Sequence, residues 1–598
     1  KQQQVVVLNT LVRVLREQRR LSEAVEALHR ACAIAEERVD WRQLVILLNT
    51  LGSVLDDDRR PEVAIATLRR AAGIAEERED KHQLVVVLNT LGNVLHRRGE
   101  PGEAIATLER ACVIAEREND QPQLAIVLNT LGRVLQHERR PNEAIAKLRH
   151  AAKIVEERDD TQQQLVVFRT LVGILREQRL LPEAIEALER GCAVAEKRDD
   201  QRQLVILLNT LGSVLHDDGR SEEAIPALER AARISEERDD RHQLVIVLNT
   251  LGSVLDQYGE PGQAIATLER ASAIAEQEGD EAQLVIVLNT LGNVLRHGQP
   301  HAAIATLERA SAIAEKQSDK QQLAMVLNTL VGVLREQRLL PEATEALKRA
   351  CAVAEERRDK QQLVTQLNNL AGVLRDQNRL PEAAEALERL CAAYEELKDL
   401  NQLTIKLNVL GGVLRELGRP EEAVEALSRA CDIAERLDNR ESLVISLTAL
   451  GMAFKESRLL EDSARALRRA CDIADEPGEE RSLLFALTTL VSVLVELNDL
   501  PALVEAERRI CGVNERLQDT YSLVVSLNVL AQTLKELNRL SEAANALDRA
   551  RKIAEDRRDW RQLVIVLNSL SGVLVEQHRL AEAADVLKHA LQIAEGQH

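Results

Sequence analysis

A forty-residue period runs through the whole chain. Aligning Leu48-Asn49-Thr50-Leu51 with Leu208-Asn209-Thr210-Leu211 and Leu327-Asn328-Thr329-Leu330 divides residues 1–598 into fifteen repeats. They begin at residues 1, 41, 81, 121, 161, 201, 241 and 281. The repeat 281–319 lacks one residue in its inner turn, so the later ones begin at 320, 360, 400, 440, 480, 520 and 560, and the last ends at 598. No linker or shift of composition interrupts them. The chain therefore reads as a single repeat domain over 1–598, in which each segment stacks on its neighbours.

Each repeat reads as two helices. Asp40 stands where an N-cap belongs and Gln43 follows three residues later, the spacing of a capping box. Asp80/Gln83, Asp120/Gln123, Asp200/Gln203, Asp240/Gln243 and Asp359/Gln362 repeat that spacing. The first helix then carries Leu44, Val45, Leu48, Leu51, Gly52 and Leu55, and a polar turn from Asp56 to Arg60 ends it. The second helix often has Pro in its first turn, where a missing N–H is harmless: Pro61, Pro101, Pro182, Pro341 and Pro381. Its apolar face is Ala64, Leu68, Ala71 and Ala75, at helical spacing. Pro226 lies deeper and predicts a kink.

These residues resemble the tetratricopeptide repeat. Leu51-Gly52, Ala64 and Ala71 occupy that family's Leu-Gly and small helix-crossing positions, while Leu48, Leu55 and Leu68 stand where it has aromatics. The family's terminal Pro is replaced by acidic residues such as Glu76, Glu116, Glu236 and Glu355, which lets the second helix run on and fits a forty-residue variant. Such longer units resemble those of kinesin light chains, spindle-polarity adaptors and the sensor arms of bacterial signal-transducing ATPases. The resemblance implies an all-α fold, a right-handed α-solenoid of about fifteen helix-turn-helix repeats. Its first helices would line a concave groove that binds a protein or peptide.

One position of that groove carries a ladder of amides: Asn9, Asn49, Asn89, Asn129, Asn209, Asn249, Asn289, Asn328, Asn368, Asn408, Asn528 and Asn568, with Arg169, Thr448 and Thr488 in the other three repeats. By the resemblance these Asn grip a peptide backbone. The competing reading is that each bonds a neighbouring helix and fixes the stacking angle. A second set of charges follows one to two turns on, regular in the later repeats (Arg335/Glu336, Arg375/Asp376, Arg415/Glu416, Lys455/Glu456, Lys535/Glu536) and varied in the earlier ones. The regular pairs suggest salt links between repeats or a solvated face. An apolar strip, Val7, Leu47, Val87, Val127, Leu207, Val247, Val287 and Val326, gives way to Gln366, Lys406, Ser446 and Ser526. It either borders the groove or packs between repeats. Arg70, Arg110, Arg190, Arg230, Arg270, Arg309 and Arg389, amid abundant Glu, read as structural.

Several classes of function are disfavoured. Aromatics are 1% of the chain, too few for ordinary ligand pockets, and a net charge of −19 argues against nucleic acid as a partner. No apolar run reaches the ~20 residues of a membrane span. No catalytic motif, metal-binding motif or cofactor loop is present, and His297 and His301 flank Gly298 and Pro300, which breaks a helical metal pair. The twelve His otherwise read as background. All eight cysteines, from Cys32 to Cys511, fall at one position where other repeats have Ala or Ser, so small size is what that position specifies. Free thiols suggest a reducing, cytoplasmic setting. The expected function is a non-enzymatic protein- or peptide-binding module, the sensing or recruiting part of a larger bacterial signalling or defence protein. The alternative is a scaffold or spacer that self-associates through uncapped ends. The chain is expected to be a piece of a longer protein.

Overall fold

The computed structural model describes residues 2–476 and 478–596, and over them the chain forms thirty helices with no strand, α1 to α30 in chain order. They fall into two compact units, Lys1–Gln317 and Ser318–His598. Odd-numbered helices are the first of each repeat. Within each unit every helix packs on the next in sequence, and several first helices also touch the first helix of the following repeat.

The second repeat shows why these residues fold this way. Helices α3 (Trp41–Asp57) and α4 (Pro61–Glu77) are each seventeen residues, and three-residue turns account for the rest of the period. Eight apolar or small residues of α3, Leu44 to Leu55, are buried, because this helix is covered by its own partner and by neighbouring repeats. On α4 a narrower face is buried: Ala64, Ile65, Leu68, Ala71, Ala72 and Ala75. Small residues there let the helices approach closely. A Cβ on Gly52 would lie 2.4 Å from Leu68 Cγ, so this place in the repeat is held by a residue without a side chain.

The turns reveal more economy than the capping-box reading. Between α2 (Leu21–Glu37) and α3, Val39 takes the left-handed conformation (φ 56°). Its N–H donates to Glu36 O and the Asp40 N–H donates to Ala35 O, the Schellman closure of a helix. The Asp40 carboxylate meanwhile accepts from the Gln43 N–H at 3.1 Å and opens the next helix. The reciprocal half of the box is not needed, since the Asp40 N–H is already used. Second helices mostly lack such a side-chain cap; in α26 (Leu500–Arg516) the Asp499 carboxylate accepts from the Ala502 N–H at 3.2 Å. In several of them an arginine before the helix pairs with the glutamate three residues on, as Arg20 does with Glu23 and Arg220 with Glu223, and as Arg140 does with Glu143 beside Pro141.

Non-glycine residues in the left-handed region recur at these turns, and Val39 is the β-branched one. That conformation is strained for a β-branched side chain, and Val39 is exposed, so its side chain contributes little packing. Val39→Gly is expected to stabilise the first repeats by about 1 kcal/mol, checked by hydrogen exchange of α2 and α3. Slower exchange is the expected outcome.

One sequence expectation is modified. The missing residue of the eighth repeat shortens the helix, not the turn: α15 (Glu281–Leu295) is fifteen residues long and a four-residue turn precedes α16 (Pro300–Gln317). Across Pro226 the helix α12 (Ser221–Glu237) runs without interruption.

Candidate functional site

The apolar strip packs between repeats. Leu47, Val87, Val127, Leu207, Val247, Val287 and Val326 are all buried, whereas Val7, with no described repeat before it, is 65 % exposed. Its neighbour across the stack is the Asn ladder. Where the strip turns polar, Gln366 Nε2 donates to Asn328 Oδ1 at 2.6 Å and Lys406 Nζ donates to Asn368 Oδ1 at 2.9 Å, each thirty-eight residues on. In the first compact unit that same register carries valine opposite Asn49, Asn89, Asn209 and Asn249, which offers no donor.

The consequence is a divided ladder. Asn49, Asn89, Asn129, Asn209, Asn249 and Asn289 are half-buried, and the Oδ1 of each is enclosed with no hydrogen-bond partner. Asn408 and Asn528 share that condition in the second unit, while Asn9, Asn328, Asn368 and Asn568 are exposed. Of the three replacements, Arg169 and Thr488 are exposed and Thr448 is buried, its hydroxyl donating to Val444 O at 2.7 Å. An enclosed acceptor without a donor costs about 1–3 kcal/mol, and the stack itself recovers none of it. Among the described residues, stacking bonds of the kind expected by the competing reading form at Asn328 and Asn368.

Beyond the ladder, charges pair across adjacent first helices at a spacing of forty-one residues. Arg16 meets Asp57 (2.9 Å), Arg176 meets Asp217 (3.3 Å), Arg415 meets Glu456 (2.5 Å), Lys455 meets Glu496 (2.9 Å) and Lys535 meets Glu576 (2.9 Å). These are partly exposed pairs and add little stability singly. They line open clefts; the one beside Arg415 and Lys455 measures ≈ 640 Å³ and includes Met452, Thr488, Thr489 and Ser492. One repeat after Arg16 the signs in that register are exchanged. Asp56 pairs with Arg97 at 2.7 Å, and burial raises its carboxyl above the usual range against the pull of that arginine.

Sequence reasoning passed over one cluster. His96, near the end of α5 (Lys81–Arg98), and His137, the last residue of α7 (Gln121–His137), stand forty-one residues apart, the register of the charge pairs. Their rings meet edge to face with centroids 4.9 Å apart, beside Glu138. Burial lowers the His96 pKa, and the nearby His137 lowers it further. That spacing was the available signal.

The remaining candidates are structural. Arg110 pairs with Glu76 (2.5 Å), Arg230 with Glu196 (2.7 Å), Arg309 with Glu276 (2.6 Å) and Arg389 with Glu355 (2.7 Å); Arg70, Arg190 and Arg270 pair alike with Glu36, Glu156 and Glu236. The acidic residue that replaces the repeat's terminal Pro thus receives the arginine of the next second helix. The eight cysteines are free and buried, and burial raises their thiols, that of Cys32 to about 11 and that of Cys112 to about 12. Such thiols stay protonated and unreactive at neutral pH. Among the described residues no helix is long and apolar enough to cross a membrane.

Comparison with known proteins agrees with this architecture. Tetratricopeptide-repeat family models match residues 43–117, 203–277 and 401–476, and a second such model matches 6–39 and 363–397. The family model of anaphase-promoting complex subunit 5 matches 294–337, 340–377 and 511–577. No curated protein matches. Among solved structures, the chain is similar to the nearly identical TPR-like repeats of a Podosopora anserina chain assigned to kinesin light chain (20% identity, 32% of this chain, 94% of that one, TM-score 0.29). It is also similar to a signal transduction ATPase with numerous domains from Pyrococcus horikoshii, which has a tetratricopeptide repeat sensor (13%, 61% and 55%, TM-score 0.41). A third is a Rap protein complexed with competence and sporulation factor (15%, 56% and 98%, TM-score 0.32). Both compact units thus contain stretches that match the tetratricopeptide repeat, and these stretches carry the Leu-Gly and paired-Ala packing seen in the structure.

Proposed function

We propose that this chain binds an extended protein segment along the groove of its first helices, with Asn49, Asn89, Asn129, Asn209, Asn249 and Asn289 gripping the segment's backbone. The observation that carries this reading is the set of enclosed, unpartnered amide oxygens on half-exposed residues. A polar group that folding leaves unsatisfied is retained for something outside the fold. The amide's two ends are interchangeable by rotation, so a bound main chain can draw the oxygen outward. Helices packed about 8–10 Å apart and a strand rising ~3.3 Å per residue let successive Asn meet every third residue of the ligand. Within the second unit Asn328 and Asn368, bonded within the stack, contribute less, while Asn408, Asn528 and Asn568 offer a surface of the same kind.

The larger setting proposed is the sensing or recruiting region of a signalling or defence protein. A scaffold that self-associates is the second reading. It is supported by exposed Leu11 and Val14 of α1 (Gln2–Glu17) and Leu587 and Leu591 of α30 (Leu580–Ala594). Panning random twelve-residue peptides on the whole chain tests the first. Selected peptides are expected to lose more than 100-fold in affinity when Asn129, Asn209, Asn249 and Asn289 are all changed to Ala, because four main-chain bonds at about 1 kcal/mol each disappear. Unchanged affinity removes the ladder from the mechanism. Light scattering that rises with concentration favours the scaffold.

A further inference from the structure

The cluster at the ends of α5 and α7 has the composition of a metal centre. His96, His137 and Glu138 each present one ligand atom, and these atoms all lie within 4.8 Å of one another. Two imidazoles and one carboxylate suit a borderline ion such as zinc; calcium and magnesium take oxygen donors instead. Zinc–nitrogen bonds of 2.0–2.1 Å place neighbouring ligand atoms roughly 3.3 Å apart in a tetrahedron. The side chain of His137 is 75 % exposed and free to swing, and its Nδ1 is already 3.9 Å from Glu138 Oε1.

The cations nearby are committed elsewhere. Arg97 pairs with Asp56 at 2.7 Å and reaches Asp57 at 3.8 Å. Arg133 donates to Asn93 Oδ1 at 2.9 Å. The Glu138 carboxylate is thus left beside the two imidazoles, with neither guanidinium bonded to it. The charge-pair register explains the juxtaposition: in that register arginine and aspartate make an ion pair, as at Arg16 and Asp57, whereas two histidines make a pair of ligands.

We propose that His96, His137 and Glu138 bind one zinc-class divalent ion at the surface of the first helices. Three protein ligands leave a fourth position open to water or to a side chain of whatever lies in the groove. The site stands on its own residues and does not require the Asn ladder to bind peptide. The buried cysteines do not compete, since their thiols remain protonated.

The test uses the full chain, stripped with chelator and titrated with zinc by calorimetry and with cobalt by visible absorption. One ion per chain is expected, with Kd about 10 µM or tighter and cobalt d–d bands lacking thiolate charge transfer. His96→Gln and His137→Ala are each expected to weaken binding more than tenfold, with far-UV circular dichroism unchanged, and Glu138→Gln to weaken it about tenfold. Absence of a site, thiolate bands, or full affinity in the double histidine variant overturns the proposal. Full affinity in Glu138→Gln overturns the three-ligand assignment.

Discussion

A Glu507→Leu chain is expected to gain about 3 kcal/mol of local stability at pH 8, and clearly less at pH 4. Glu507 lies on α26 (Leu500–Arg516) at the position where other repeats bury Leu28, Leu68 or Leu108, and it is only 4 % exposed. One carboxylate oxygen accepts from the Thr533 hydroxyl on α27 (Thr520–Glu536) at 3.1 Å, and the other has no partner. Burial pushes this carboxyl up to about 7; the Thr533 hydrogen bond pulls the other way, and the charge of Glu536 raises it slightly more.

The native state therefore holds the proton more tightly than the unfolded chain, whose carboxyl titrates near 4.5. Stability is full below that value, falls as pH rises towards 7 and is flat above, at about 1.4 kcal/mol per unit of difference. Leucine removes the titration altogether. Long repeat arrays open locally before they unfold globally, so the measurement is hydrogen exchange of α26 and α27 as a function of pH. A stability difference that does not vary with pH would refute this account.

The second large effect concerns the Gly–Leu crossing inside a repeat. Gly92→Ala is expected to destabilise by about 2 kcal/mol, although Gly to Ala in an open helix gains about 1 kcal/mol. The new Cβ would lie 2.6 Å from Leu108 Cγ, and Leu108 is fully buried on α6 (Pro101–Arg117) with nowhere to retreat. Leu108→Ala alone is expected to cost about 3 kcal/mol through the cavity it leaves. In the double variant the alanine Cβ enters that cavity, so the combined loss is smaller than the two single losses added. Urea unfolding monitored by circular dichroism reads all three. Simple additivity would mean that the two side chains do not share the space described.

What could be read before folding was whatever depends on neighbours in sequence. Helix pairs and their starts at Asp40 or Pro61 follow from spacing of four residues or fewer, and the small size required of Cys32 follows from lining up the repeats. What could not be read depends on contacts one repeat away. Whether Val87 bordered the groove or packed inside was undecidable until its register against Asn49 was seen. The same holds for Glu76 receiving Arg110, and for His96 meeting His137. The two halves of the Asn ladder look alike in sequence; the partner thirty-eight residues on, valine or Gln366, makes them physically different. Glu507 in repeat 13 and Thr533 in repeat 14 look like unrelated losses of apolar character, yet they face each other across one interface.

Asp40 serves two helices at once, its main-chain N–H finishing α2 and its carboxylate beginning α3. A joint in which one residue holds both rods has no slack. Inserting a single amino acid there would pull the finishing and beginning contacts onto different residues and turn every later rod about its axis. Adding a whole forty-residue segment disturbs neither. Such a protein lengthens by copying complete segments, much as a chain of links grows, and a lone deletion must be absorbed inside a rod, which is how α15 comes to be two residues shorter than α3.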